Sequence, residues 1–383
     1  AGAAFSLQAM WIQRITFAWI AWQLSGSAAF VGLVAFLGFA PTMLSGPVFG
    51  ALIDRVPLIP AAKTAQAALL GLAMLTAAMH SADLLGQTAL ALLSLAYGFI
   101  MSAHHPVRMS LGPLLAAQEH VSSVIAFTSI NFNLARSIGP AIGGALIHAW
   151  GPGAALWVIA ACLIPNQIAL RMLRPRDRAP SDEKPGSLIE GLAHGVSYAW
   201  SNRFPRLILL LTGSFALLGR GMLEILPLVA DGVFQRGPTG LGTLTSVAGL
   251  GALAAAALVM ILPAPLPGRL PRPAVAAVAL GLGLTLVVAL STNWPLTVTS
   301  VALLGAAGTV MGVSVQSALQ QVLTDGYRGR VMSLWVMTGI GGSALGALLM
   351  GGLADLLGLG WAAVILLVLA LLPLTLARMR PAI

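Results

Sequence analysis

Charge is what this chain has least of. Asp, Glu, Lys and Arg make up 8% of its 383 residues while 58% are hydrophobic, and soluble domains carry roughly 25% charged residues. Such a composition cannot build a surface that faces water, so the chain is read as an integral membrane protein. Lysine is scarcer still. Lys63 and Lys184 are the only two, and no Gly-x-x-x-x-Gly-Lys-Ser/Thr loop occurs, which excludes a chain that powers itself with ATP. The single cysteine, Cys162, lies in an apolar run, so it cannot form an internal disulfide and does not mark a redox compartment. No Ser-His-Asp or Cys-His arrangement has a supporting context. His104 and His105 are adjacent, without metal-ligand spacing to Glu119 or His120, and are read as interfacial. The expectation is therefore a protein that is no enzyme and needs neither cofactor nor metal. No signal peptide is expected, and because the chain opens at Ala1 without methionine a short native segment is expected ahead of it.

What is present is apolar length. Runs able to cross a hydrocarbon core ~30 Å thick lie at 3–24, 29–53, 61–80, 87–107, 121–148, 153–172, 204–230, 241–263, 273–291, 295–318, 331–355 and 361–378. They predict an all-α integral membrane fold of twelve transmembrane helices. The net charge of +9 could suggest nucleic acid, but its placement argues otherwise: 16 of the 20 Lys and Arg lie in the loops that follow even-numbered runs or within the few run residues bordering those loops. Arg14, Arg136 and Arg220 fall deep within runs, and Arg236 alone lies in the opposite set of loops. By the positive-inside rule both termini are cytoplasmic.

One polar stretch divides the chain. Residues 173–203 hold Pro175, Pro180, Pro185 and a dense set of charges from Arg174 to Lys184, a linker composition. It separates a six-helix bundle at 1–172 from another at 204–383. Within it, Ser187 and Glu190 form a capping box ahead of Leu188, Ile189, Leu192, Val196, Tyr198 and Trp200, which predicts either a helix lying on the membrane surface or an ordinary linker helix. The halves echo each other: Gly139, Gly144, Gly151, Gly153 and Ser110 fall at one constant offset from Gly346, Gly351, Gly358, Gly360 and Ser317. Two pseudo-symmetric repeats with a site between them near the midplane, alternating in access, fit this pattern.

The ionisable residues inside spans are the candidate site. Arg136 lies about four turns into its span, just ahead of Gly139-Pro140-x-x-Gly143-Gly144. An arginine at bilayer depth normally faces a bundle interior or a watery cavity. Pro140 removes a backbone donor and the glycines admit a neighbouring helix. A bend with a snorkelling arginine is the plainer alternative. Arg14 has Gln8 and Gln13 nearby and a stripe of Trp11, Trp19 and Trp22. With Asn133 and Arg136 these suit a cavity wall for an anionic or amphipathic ligand; equally, Arg14 could bond helix carbonyls while the tryptophans face lipid. Arg220 and Glu224 stand four residues apart and share a helix face. Glu224 is the one carboxylate placed well inside a span. Burial favours its protonated form and the arginine its charged form, which makes it the leading proton carrier; a permanent structural pair is the alternative.

Several motifs resemble a known family. Gly50-Ala51-Leu52-Ile53-Asp54-Arg55 closes the second run and resembles the Gly-x-Leu-Ala-Asp-Arg signature of the major facilitator superfamily. Pro57, Leu58 and Ile59 replace the glycine and basic pair usual after it, with Lys63 as the substitute base. Gly139-Pro140-x-x-Gly143-Gly144 resembles the antiporter motif of span 5, found mainly in exporters, with Ala126 and Ala135 at two of its glycines. Trp11-Ile12-Gln13-Arg14, Leu24-Ser25-Gly26-Ser27, Asn133-Leu134-Ala135-Arg136 and Arg328-Gly329-Arg330-Val331-Met332-Ser333 are similar to the drug:proton antiporter branch that includes enterobactin-exporter-like and macrolide-efflux proteins. The arginine usual in span 4 is absent from Leu93 to Pro106.

The resemblance implies the major facilitator fold and a conformational latch of Gly50, Asp54, Arg55 and Arg330, in which Asp54 meets the positive N-terminus of span 11. It implies export of a small amphipathic compound (a siderophore, antibiotic or drug) in exchange for protons, by a monomer in a bacterial cytoplasmic (inner) membrane. The expected partners are the substrate, protons and membrane lipids, and not nucleic acid. Two alternatives stand beside it: an importer on the same scaffold, and a non-transporting sensor or assembly factor, which would not need Arg14, Arg136, Arg220 and Glu224 at membrane depth.

Overall fold

The computed structural model describes residues 2–53, 56–115, 118–173, 188–261, 268–323 and 325–379. Among them there is no β-strand. Five helices precede the linker: α1 (Gly2–Ser25), α2 (Ala28–Ile53), α3 (Leu58–Ser81), α4 (Gln87–Leu115) and α5 (Val121–Met172). The linker contributes α6 (Leu188–Ser201). Then come α7 (Arg203–Phe215), α8 (Gly221–Glu224), α9 (Gly237–Ile261), α10 (Arg272–Leu290), α11 (Trp294–Val322), α12 (Asp325–Leu357) and α13 (Leu359–Met379).

These elements account for the twelve apolar runs. Eight helices are long and apolar enough to cross a membrane. The one in α5 counts twice, because Gly151 (φ 80°, ψ 169°) breaks it. That backbone is open to glycine and closed to most other residues, and Pro152 next to it has no N–H to offer a helix ladder. The shorter apolar helices Ala28–Met43 and Leu359–Thr375 lie in α2 and α13. The twelfth, α1, is interrupted by Gln8, Gln13, Arg14 and Gln23.

The seventh run departs from a simple helix. After α7 it widens into π-helical turns at Ala216–Arg220, returns to α-helix over α8, breaks at Ile225 (φ −100°, ψ 19°), and widens again at Leu228–Val233. Pro227 explains the break, since its ring excludes the helical carbonyl geometry four residues back. A π turn inserts a residue and re-aims the side chains after it, and such turns are frequent at functional sites.

Two compact units divide the chain. The first comprises residues 1–26, 37–185 and 236–246, and the second 27–36, 186–235 and 247–383. In the first, α1 lies along α5, which also receives α3, and Leu58, Ala62, Val107 and Leu170 form a buried apolar cluster. Lys63, expected to serve the loop after α2, instead donates to the Leu173 carbonyl at 2.9 Å and closes the C-terminus of α5. In the second, α12 packs on the seventh run and on α13, and α10 on α11. The linker helix α6 stacks Tyr198 on Tyr327 at the start of α12, ring centres 4.2 Å apart. Its expected capping box, Ser187 and the Glu190 side chain, lies outside the described residues.

The second unit includes residues 27–36 because α12 caps α2. The Asp355 carboxylate accepts the backbone N–H groups of Ala28 (2.9 Å) and Ala29 (3.0 Å) and the hydroxyl of Ser27. The Ser27 hydroxyl oxygen in turn accepts from Phe30 N at 3.1 Å. Three N–H groups that a helix start leaves orphaned are thereby satisfied at the positive end of its dipole.

The core of the second unit is keyed by Phe215. Its ring fills a notch beside Gly219, Gly281 and Gly308, and a Cβ placed on Gly281 would lie 2.3 Å from Phe215 Cε2. Phe215→Ala is expected to empty this notch and cost of order 3 kcal/mol. Thermal unfolding in detergent would register it as a lower Tm; an unchanged Tm would show that the notch is not a packing key.

Candidate functional site

The π stretch in the seventh run ends on Arg220, and one turn later Glu224 is buried, 7% exposed. The Ser343 hydroxyl of α12 donates to Glu224 Oε1 at 3.4 Å. This is possible because α12 comes very close: a Cβ on Gly346 would lie 2.0 Å from the Leu217 carbonyl oxygen, and one on Gly221 2.7 Å from the Gly346 carbonyl carbon. One face of α12 thus supplies Trp335, Gly339, Gly342, Ser343 and Gly346 to the same wall. Trp335 Nε1 donates to Thr212 Oγ1 at 3.1 Å.

The first unit carries a different chemistry. Arg14 is exposed at the middle of the 24-residue α1. A guanidinium turned to lipid at that depth costs at least ~2.5–3.5 kcal/mol, so its exposed surface is assigned to water. Its Cζ lies 5.2 Å from the ring centre of Trp11 and 5.2 Å from that of Phe39. Trp11 meets Phe132 of α5 edge-on, centres 5.8 Å apart at 67°. Arg108 of α4 sits 5.9 Å from the Phe132 ring centre. Tyr97 of α4 faces Phe17, ring centres 6.3 Å apart.

Of the expected cavity residues, the structure brings together Trp11 and Arg14. Arg136 is half-buried on α5, one turn past Phe132. Gln13 is buried, 4% exposed, and points about 100° around α1 from Arg14, as neighbours on a helix do. The side chain of Asn133 lies outside the described residues. Trp19, weighed as lipid-facing, is buried instead.

The glycine-proline element docks on the helix that carries Arg14. A Cβ on Gly139 would lie 2.7 Å from Trp11 Cβ and 3.1 Å from Gln8 Oε1, and one on Gly143 would lie 2.6 Å from Ile15 Cγ2. Gly144 faces the start of α9, where its Cβ would lie 2.7 Å from Gly242 Cα. Pro140 is buried between them. Of the latch residues, Asp54, Arg55 and the surroundings of Gly50 lie outside the described residues. Arg330 is exposed, its Cζ 6.0 Å from the Tyr327 ring centre.

Reasoning from sequence missed two polar nodes. His104, expected at the interface, is buried, and its Nε2 lies 3.2 Å from Gln66 Oε1. That amide oxygen also accepts from Ser6 Oγ at 3.3 Å, and Gln66 Nε2 donates to the Leu163 carbonyl at 3.1 Å. An amide oxygen only accepts, so His104 carries its proton on Nε2. A lone glutamine in the middle of an apolar run was the available signal. Asp355 is the second node. It sits at the edge of a span, where a carboxylate reads as ordinary loop chemistry until the α2 terminus is seen against it.

The family model described as transmembrane secretion effector matches residues 2–382. The multidrug efflux pump Tap of Mycolicibacterium fortuitum is 25% identical over 201 residues, 49% of this chain and 48% of that protein. The chain thus spans about half the length of the first curated relatives it matches. The enterobactin exporter EntS of Escherichia coli is 28% identical over 348 residues, 88% of this chain and 78% of that protein. Among solved structures, an inward-facing, occupied bacterial homologue of the human lysosomal transporter Spinster superposes with a TM-score of 0.75 at 14% identity, covering 98% of this chain and 95% of that one. An inward-facing bacterial homologue of the iron transporter ferroportin gives 0.70 at 18% identity, covering 99% and 97%. These likenesses establish the fold.

Close approach at the glycine element yields a test. Gly143→Leu should force α5 away from Ile12 and Ile15 and disturb Trp11 and Arg14 one turn away, with expression retained and ligand affinity down about tenfold. A variant that binds the same ligand with wild-type affinity would show that this contact does not set the Arg14 surface.

Proposed function

We propose that this chain, which belongs to the transmembrane secretion effector family of the major facilitator superfamily, exports a small amphipathic compound by alternating access in exchange for protons. The multi-pass chain is assigned to a bacterial cytoplasmic (inner) membrane with both termini cytoplasmic, as its Lys and Arg placement suggests. Efflux is supported by the names of two relatives, a multidrug efflux pump and an enterobactin exporter. In this reading residues 1–172 and 204–383 act as two bundles joined by the linker at 173–203, and the substrate is a siderophore, antibiotic or drug.

The observation that carries the coupling assignment is Glu224, buried inside a span with the Ser343 hydroxyl on its carboxylate. Arg220, one turn earlier, holds compensating charge on the same face. Protonation removes the carboxylate charge and with it the attraction to Arg220, so each proton taken up changes which conformer the α12 wall favours. Substrate is received by Trp11, Arg14 and Arg136, with Gln13 and Asn133 on the same two helices. Gly50, Asp54, Arg55 and Arg330 act as the latch of one conformer, through a carboxylate meeting a helix N-terminus.

A thermal-shift screen of siderophores, antibiotics and drugs supplies the ligand, since a compound at ~100 times its Kd adds about 2.7 kcal/mol of stability. In proteoliposomes, Glu224→Gln is expected to bind that ligand within about twofold of wild type while transport driven by a pH gradient is lost. The amide keeps the shape of the protonated acid and cannot exchange a proton. A glutamine variant that still concentrates the ligand with normal pH dependence would remove Glu224 from the coupling. A deletion strain that accumulates less ligand than its parent would make the protein an importer.

A further inference from the structure

We infer that the first unit holds a binding site for anionic, ring-bearing compounds, built on Arg14 and Arg108 with Trp11, Phe39 and Phe132. The inference rests on the transport reading only in taking this site as the one the substrate occupies.

Three observations converge on it. The first is the order of groups: Arg14 lies over Trp11 and Phe39, Trp11 meets Phe132 edge-on, and Phe132 is faced by Arg108. Cation, ring, ring and cation alternate across α1, α5 and α4. A planar anion laid along them meets guanidinium forks at its charged groups and aromatic faces or edges at its rings.

The second is the charge of the surrounding helices. α1 to α5 carry Arg14, Lys63, Arg108, Arg136 and Arg171 but not one Asp or Glu. The carboxylates of this part of the chain lie between those helices, exposed Glu119 in the short 3-10 turn ahead of α5 and Asp83 in the loop after α3 among them, whereas Glu224 and Asp355 belong to later helices. A cationic amphiphile entering the Arg14–Arg108 region meets like charge on helices that carry basic side chains alone, whereas an anion meets the opposite sign at reduced dielectric.

The third is unfilled hydrogen-bonding capacity. Among the described residues, Trp11 Nε1 and Arg108 Nε are enclosed donors with no hydrogen-bond partner, and Gln8 Oε1, beside Gly139, is an enclosed acceptor with none. Buried polar groups are almost always paired. Two donors left over next to two guanidinium groups and a set of rings match a ligand rich in acceptors, such as a carboxylate, a sulfonate or a phenolate. An anionic lipid headgroup offers the same charge without a ring, so the two sources are separable.

The test measures dissociation constants by calorimetry for full-length protein in neutral detergent with three probes. Naphthalene-2-sulfonate has ring and negative charge, naphthalen-2-ylmethylammonium has ring and positive charge, and octane-1-sulfonate has negative charge and no ring. Wild type is expected to prefer the naphthalene sulfonate at least tenfold over the ammonium and at least threefold over the octane sulfonate. Arg14→Gln and Arg108→Gln should each reduce the first preference about tenfold, and Arg14→Lys should reduce it less. Arg171→Gln, at an exposed position near the end of α5, should leave it unchanged.

Equal or tighter binding of the ammonium would overturn the inference. So would glutamine variants that stay monodisperse and keep the wild-type preference, and octane sulfonate binding as well as the naphthalene sulfonate would assign the site to lipid-like anions instead. Proteoliposome transport separates the two proposals. Selective binding of the naphthalene sulfonate with no transport of any screened compound would sink the exporter reading and leave this site standing. Transport of other compounds undiminished in Arg14→Gln, with no anion preference in wild type, would sink the site alone.

Discussion

A hydrocarbon bilayer offers no hydrogen bonds, and that constraint shapes nearly every polar group in this protein. Hydroxyls inside spans fold back on their own helices: Thr16 donates to the Ile12 carbonyl, Thr76 to Leu72, Ser94 to Leu90, Thr212 to Ile208 and Thr285 to Gly281. Each satisfies its donor locally, so these residues sit in an apolar span without needing a neighbour. Helix ends, which cannot solve the problem internally, borrow a group. Asn293 Oδ1 accepts from Leu296 N at the start of α11, Asp355 serves α2, and Lys63 closes α5.

The same solvent removes the usual driving force for association, because lipid tails are as apolar as leucine. Helices adhere through close backbone approach instead. Cβ atoms on Gly251 and Gly305 would lie 1.9 Å and 2.0 Å from carbonyl oxygens of α11 and α9 respectively, so these two helices cross where neither has a side chain. The wall around Glu224 uses this device at Gly346 and Gly221, and the surface around Arg14 uses it at Gly139 and Gly143. In both places glycine positions a polar group rather than merely filling space.

Charge is then sorted between the units. The helices of the first carry arginine among aromatic rings, and the second holds the buried carboxylate. The buried Gln66–His104 node, by contrast, ties α3, α4 and the second half of α5 together and, among the described residues, leaves one imidazole nitrogen without a partner.

The sequence by itself determined the membrane class and the twelve spans, because hydropathy over some twenty residues is a property of composition and needs no partner. It also located Arg14, Arg136, Arg220 and Glu224, since a charge in an apolar run is visible without a fold, and the glycine element, whose motif spacing is local. Only the tertiary structure decided what those groups meet. That Trp11 touches Phe132, that Arg108 joins the same ring, that His104 turns inward to Gln66 and that Asp355 caps α2 are contacts across long stretches of chain. The π turns before Arg220 were equally hidden. A widened helix has the same composition as a regular one and is selected by how closely α12 approaches, through Gly346 and Gly342, on the other side of the contact.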